Sequence, residues 1–125
     1  MSECELMHRV VEAAYWKIAY HEKELGRAHK FLAVAHGLVQ RTGLEVTERE
    51  AQDAHNENED ETDCETPLEL LAYTLGSAMN SIAYHEAGLR EAHNHLAQAK
   101  ALALRAAIEV PFEEIEAEAR KRAAT

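Results

Sequence analysis

The feature that most constrains the fold is an internal repeat. Residues 18–35 read IAYHEKELGRAHKFLAVA and residues 82–99 read IAYHEAGLREAHNHLAQA, with eleven of the eighteen positions identical and no gap. In both copies apolar residues recur every three or four positions, which is the period of an α-helix. The sequence therefore predicts an all-α protein with two long helices that derive from an internal duplication.

Each repeat carries a heptad in which a column of large apolar residues alternates with a column of alanine. A histidine takes one alanine position in each copy, at His21 and at His85. Small residues let two helices approach closely, so we expect the helices to pack along these columns. The columns are Val11, Ile18, Leu25, Leu32, Val39 and Ala14, His21, Ala28, Ala35 in the first helix, and Leu75, Ile82, Leu89, Leu96, Ala103 and Ala78, His85, Ala92, Ala99 in the second.

Capping residues set the bounds of the long helices. The first is predicted over about residues 3–40, because Gly43 is suited to a left-handed helix end. The second is predicted over about residues 67–107, because Thr66 is a good N-cap and Pro67 suits the first helical position.

Two short helices complete the prediction. Thr47 and Glu50 have the spacing of a capping box, which predicts a short helix over about 48–55 inside a connector at 44–65. Pro111 starts a last helix over about 111–123. The whole chain is short enough to form a single helical domain.

Two long helices joined by a connector fold most simply as an antiparallel hairpin. If residue 40 lies beside residue 66, then His21 faces His85 near the middle of the hairpin. Many apolar residues fall outside the packing columns, so we expect a homodimer that forms a four-helix bundle, or a different protein on the same surface. These residues include Tyr15, Trp16, Phe31, Leu38, Leu70, Leu71, Met79, Leu102 and Leu104.

Charge and composition exclude several classes. The net charge is -10, which argues against direct binding of nucleic acid. We expect no membrane association and no secretory signal, since the first residues are acidic and no long apolar run follows. Cys4 and Cys64 lack the spacing of a zinc site, and we expect free thiols in the cytoplasm.

Most of the negative charge lies in the connector. Residues 45–65 contain ten acidic residues and one basic residue. One interpretation is a solvated, mobile segment. The other is a contact with a protein that has a basic surface, whose nucleic-acid channel the segment could block by imitating phosphates. The residues expected to make this contact are Glu57, Glu59, Asp60, Glu61 and Asp63.

The repeated His-Glu dipeptide is a candidate metal site. Around the axis that relates the two repeats, His21, Glu22, His85 and Glu86 could hold one divalent transition-metal ion. The alternative is a pair of core histidines that bond each other and fix the register of the Ala/Leu columns. No cofactor other than this possible metal is expected.

Arg90 and His95 form an Arg-x4-His string, which resembles the catalytic string of HEPN-type ribonucleases. The resemblance covers these two residues and implies a small α-helical dimer that cleaves RNA without a metal. Glu91 departs from the family pattern, and the first repeat has no equivalent string. Residues five apart on a helix also point roughly 140° away from each other.

No nucleophile motif, phosphate-binding loop or dinucleotide fingerprint is present, and no residue is assigned as catalytic. The leading hypothesis is a small acidic interaction protein, an adaptor or an inhibitor, of a kind common in phages and mobile elements. It would act through an apolar helix face and the acidic connector. The alternatives are a metal-binding helical bundle and the ribonuclease.

Overall fold

The computed structural model describes all 125 residues and is all-helical, which confirms the predicted fold class. Helices account for 84% of the chain and there are no strands. None of the helices combines the length and the apolar character that a membrane crossing requires. In chain order the elements are α1 (Glu3–Thr42), α2 (Glu48–Glu57), a 3-10 turn (Glu61–Asp63), α3 (Pro67–Arg105) and α4 (Phe112–Ala124).

The predicted caps define α1 and α2. Beyond the end of α1, Gly43 has a φ of 70° and its N–H donates to the carbonyl of Val39 at 3.1 Å. Thr47 and Glu50 form the capping box: the Glu50 N–H donates to Thr47 Oγ1 at 3.1 Å, and the Thr47 N–H donates to Glu50 Oε1 at 3.2 Å. Each bond satisfies a backbone group that the helix itself leaves unpaired.

The start of α3 has a favourable capping residue, whereas its end has a residue that is unfavourable for the backbone conformation there. At the start, the Glu69 N–H donates to Thr66 Oγ1 at 3.1 Å, as predicted. At the end, the Ile108 N–H donates to the carbonyl of Ala103 at 2.9 Å across Ala107, whose φ is 56°. This left-handed position normally takes glycine. It ends α3 at Arg105, two residues before the predicted bound.

The chain divides into two compact units. Unit 1 comprises Met1–Glu24 and His85–Thr125, and unit 2 comprises Leu25–Tyr84. The core of unit 1 is built from α1, α3 and α4. Its buried members are Met7, Val11, Ala14, Tyr15, Ile18, Ala92, Leu96, Ala99, Ala103, Ile115 and Ala119.

Polar contacts fasten α4 to α1 at the surface of unit 1. Arg120 lies 3.4 Å from the carboxylate of Glu22, and Arg122 lies 3.6 Å from that of Glu12. Exposed ion pairs of this kind contribute little to stability, about 0–1 kcal/mol each. The burial of Ile115 against α1 and α3 therefore holds α4 in place more than these charges do.

Unit 2 packs α2 against α3 at a glycine. A Cβ on Gly76 would overlap the backbone carbonyl oxygen of Ala51, so only glycine allows this approach of the two helices. Asn80 Nδ2 donates to Gln52 Oε1 at 3.0 Å along the same contact. The buried core of unit 2 comprises Ala35, Ala51, Leu71 and Leu75.

The predicted packing columns are buried or half-buried throughout, and none of their residues is exposed. Tyr15 and Leu71 lie outside the columns but are also buried. Tyr15 belongs to the core that α4 completes, and Leu71 to the core that α2 completes. The short helices therefore cover part of the apolar surface for which a second chain was expected.

Candidate functional site

The two histidines that interrupt the alanine column meet inside unit 1. His21 Nδ1 and His85 Nδ1 lie 2.9 Å apart, within hydrogen-bond distance, and the rings are 9% and 8% exposed. This contact confirms the expected meeting of the two residues. The core residues of α1 that precede His21, at positions 7–18, pack with the core residues of α3 that follow His85, at positions 92–103. The two helices therefore run antiparallel in unit 1.

Aromatic residues of α1 border the pair. The Tyr20 ring lies in a T-shaped arrangement with both imidazoles, with centroid distances of 5.2 Å to His21 and 5.9 Å to His85. Trp16 stacks on Tyr20 at 5.3 Å and is itself partly exposed. These contacts restrict the orientation of both imidazole rings.

A glycine of α3 makes room for the His21 ring. A Cβ on Gly88 would overlap the His21 imidazole. Gly88 follows His85 by three positions, and the equivalent position in the first repeat is Glu24. The replacement of a glutamate by a glycine between the repeats is the sequence signal for this contact, which helical periodicity does not predict.

The surroundings favour the neutral form of His21. Burial lowers the pKa of His21, and the nearby His85 and Lys17 lower it further, while Glu91 acts in the opposite direction. In the hydrogen bond between the two Nδ1 atoms, one nitrogen donates and the other accepts, so a single proton lies between them.

The two glutamates of the predicted metal site lie elsewhere. The carboxylate of Glu22 contacts Arg120 at 3.4 Å, and Glu86 is exposed on α3. The structure contains no group of three or more His, Cys, Asp or Glu side chains that could hold a metal ion. It therefore brings together the two histidines of the predicted four residues, and not the carboxylates.

The five acidic residues predicted to bind a partner are all exposed, and the segment is more ordered than a plain loop. Asp60 caps the 3-10 turn, since its carboxylate accepts from the N–H and the hydroxyl of Thr62. These bonds lower the pKa of Asp60. Asp63 Oδ2 accepts from the Glu59 N–H at 2.8 Å. The side chains of Glu57, Glu59 and Glu61 are exposed to solvent.

An exposed apolar stripe runs along α1 in unit 2. Phe31, Val34 and Leu38 are 52%, 67% and 45% exposed. Their spacing of three and four places them on one side of the helix. By the same spacing Lys30 and Arg41, both exposed, lie toward the two ends of the stripe. Phe31 and Leu38 are among the apolar residues predicted outside the packing columns, whereas Val34, the most exposed of the three, is not.

The other residues singled out from the sequence, Arg90 with His95 and the two cysteines, do not form a site. Arg90 and His95 are both exposed on the regular part of α3, so they point in different directions from the helix. Cys4 and Cys64 are free thiols, as expected.

Comparisons of the chain with protein families, with curated proteins and with solved structures found no match.

Proposed function

We propose that this chain is a non-enzymatic interaction protein, an adaptor or an inhibitor, that binds another protein through the exposed stripe of α1. The observation that carries the proposal is the exposure of Phe31, Val34 and Leu38 together on one side of a helix. Clustered apolar side chains left to water mark a surface that another molecule covers. Single exposed apolar residues would carry no such weight.

The basic residues at the ends of the stripe indicate what kind of partner surface would fit it. Lys30 and Arg41 place positive charge beside the apolar centre. A partner that covers the stripe would therefore present an apolar surface with acidic residues at its rim. An amphipathic helix meets this description, because it can lie along α1 with apolar residues at heptad spacing and glutamates beside them.

A second copy of this chain is the alternative occupant, and it would give the expected homodimeric four-helix bundle. Two stripes packed against each other in parallel would place Lys30 beside Lys30 and Arg41 beside Arg41. In the antiparallel arrangement the basic end of each stripe would meet the basic end of the other. Like charges in contact are destabilising, so we favour a different protein.

The acidic connector supplies a second contact in this proposal. Glu57 ends α2, Glu59 lies between α2 and the 3-10 turn, and Glu61 begins the turn; all three are exposed. The Asp60 cap orders the turn that carries Glu61. The three carboxylates would meet a basic surface of the partner, and their attraction would weaken as salt is added.

A pair of designed peptides tests the proposal. Each forms a three-heptad amphipathic helix with leucine in the seam, and the flanking residues are glutamate in one peptide and lysine in the other. We expect the protein to bind the glutamate peptide at least tenfold more tightly. Val34→Asp should weaken that binding by tenfold or more, because covering a valine contributes about 1.5–3 kcal/mol.

Leu104→Asp is the matched control, since Leu104 is 83% exposed on α3 in unit 1 and lies outside the stripe. We expect this variant to bind the glutamate peptide as the wild type does. Equal affinity for both peptides, or binding that Val34→Asp leaves unchanged, would refute the proposal. A wild-type dimer that Val34→Asp separates would assign the stripe to a second copy instead.

A further inference from the structure

The His21–His85 pair has a property that the proposed interaction does not use. We propose that it is an acid-sensitive contact: below neutral pH, protonation of both rings breaks their hydrogen bond and separates α1 from α3 in unit 1. Both histidines belong to unit 1, whereas the stripe belongs to unit 2. The inference therefore does not depend on the proposed function.

The hydrogen bond limits the number of protons that the closed pair holds. One Nδ1 donates to the other at 2.9 Å, and in the neutral donor ring Nε2 carries no proton. A first added proton binds that Nε2 and leaves the hydrogen bond intact. A second must bind the accepting Nδ1, which places two N–H groups and two positive charges face to face. The closed pair therefore holds at most one positive charge, whereas separated imidazoles take up one proton each.

Packing gives the charged rings no room to move apart while the helices stay together. A Cβ on Gly88 would overlap the His21 imidazole, so this ring lies directly against α3. Tyr20 borders both rings, which are 9% and 8% exposed, so little water screens their charges. Separation of α1 from α3 relieves the repulsion and gives both imidazoles access to water.

The surrounding charges act on the pair in both directions. Burial has the largest effect and lowers the pKa of His21; Lys17 lowers it further and Glu91 raises it. The ionisable residues within one turn of either histidine, or acting on them from further away, are Lys17, Tyr20, Glu22, Lys23 and Glu24 on α1, Tyr84, Glu86 and Glu91 on α3, and Arg120, which contacts Glu22, on α4.

The direction of the pKa shift of His21 sets the pH range of the effect. An unfolded histidine titrates near pH 6.5, so the unfolded chain takes up protons there that the closed pair does not. Stability is therefore fully present above about pH 6.5 and is lost as the pH falls below it. The lowered pKa of Asp60 acts in a separate range, because an aspartate with a pKa below 3.8 loses its contribution only in stronger acid.

Urea denaturation of the full chain between about pH 7.5 and about pH 5 measures the proton uptake, since each proton raises the unfolding equilibrium constant tenfold per pH unit. We expect unfolding of the wild type to take up about one proton more, or two, than unfolding of His21→Gln/His85→Gln. The matched control is His29→Gln/His93→Gln, which removes the other repeated histidines, both exposed. It should take up as many protons as the wild type, less those of two ordinary histidines.

A measurement on the wild-type protein removes any dependence on how the variants fold. Trp16 is the only tryptophan and stacks on Tyr20 beside the pair, so its fluorescence reports the separation. We expect the NMR resonances of the His21 and His85 rings to titrate at lower pH than those of the exposed histidines, together with the change in Trp16 fluorescence. Titration together with the exposed histidines, or Trp16 fluorescence that stays constant while the pair titrates, would overturn the inference. Equal proton uptake by the wild type and a folded His21→Gln/His85→Gln would do the same.

Discussion

His21 and His85 occupy equivalent positions in the two repeats, and each provides a hydrogen-bond partner for the other at 2.9 Å. Replacing one by leucine removes the Nδ1 partner of the other inside a buried site. We expect His21→Leu alone to destabilise the fold by about 1–3 kcal/mol.

The double variant His21→Leu/His85→Leu should lose less stability than the sum of the two single variants, because it leaves no buried Nδ1 atom that has lost its hydrogen-bond partner. Urea denaturation of the four proteins gives the coupling energy, which we expect to be about 0.5–3 kcal/mol. Additive losses would show that the two rings do not depend on each other.

Gly76 permits the contact between α2 and α3, and its replacement should be costly. A Cβ at this position would overlap the Ala51 carbonyl oxygen and lie 2.8 Å from the Cβ of His55. We expect Gly76→Ala to destabilise the protein by about 1–3 kcal/mol, since backbone must move to relieve the overlap. Thermal denaturation followed by circular dichroism measures the loss.

Gly26→Ala is the control for helix propensity, because a Cβ at Gly26 in α1 meets nothing within 4 Å. It should stabilise the protein by up to about 1 kcal/mol. If Gly76→Ala is as stable as Gly26→Ala, the close packing of α2 on α3 is wrong.

Ala107 adopts a conformation that suits glycine, with a φ of 56° after the end of α3. We expect Ala107→Gly to raise the free energy of unfolding by about 0.5–1 kcal/mol, because relief of strain exceeds the added freedom of the unfolded chain. Chemical denaturation measures the change. A loss of stability instead would mean that α3 does not end in this left-handed turn.

The acidic residues of the connector divide into two groups with different expected effects. Glu57→Gln/Glu59→Gln/Glu61→Gln removes exposed charge without removing a cap, and should leave stability within about 0.5 kcal/mol of the wild type. Asp60→Ala removes the oxygen that accepts from Thr62 and should loosen the 3-10 turn. Hydrogen exchange at the Thr62 amide detects this, and we expect faster exchange only in Asp60→Ala.

Sequence periodicity was sufficient for the helices and for the central contact. The three- and four-residue spacing identified both long helices, and an antiparallel hairpin with residue 40 beside residue 66 placed His21 opposite His85. The capping box at Thr47 and the left-handed Gly43 were also predicted correctly, because each depends on residues close together in the chain.

Contacts between distant segments were harder to predict. Helical period alone does not show that α4 brings Arg120 to Glu22. The Glu22 carboxylate therefore pairs with Arg120 and not with the histidines. Nor does it show that Gly88 lies beneath the His21 ring, since a glycine within a helix has several possible causes. Val34 was missed because its exposure depends on which side of α1 the other helices leave open.

In the proposed function, the α1 stripe is a binding surface for a different protein with an acidic rim. Sedimentation velocity of the untagged chain, alone and with each designed peptide, tests it most directly. We expect a 14.0 kDa monomer that forms a one-to-one complex with the glutamate peptide and none with the lysine peptide. A dimer in the absence of peptide that Val34→Asp separates, or no complex with either peptide, would contradict it.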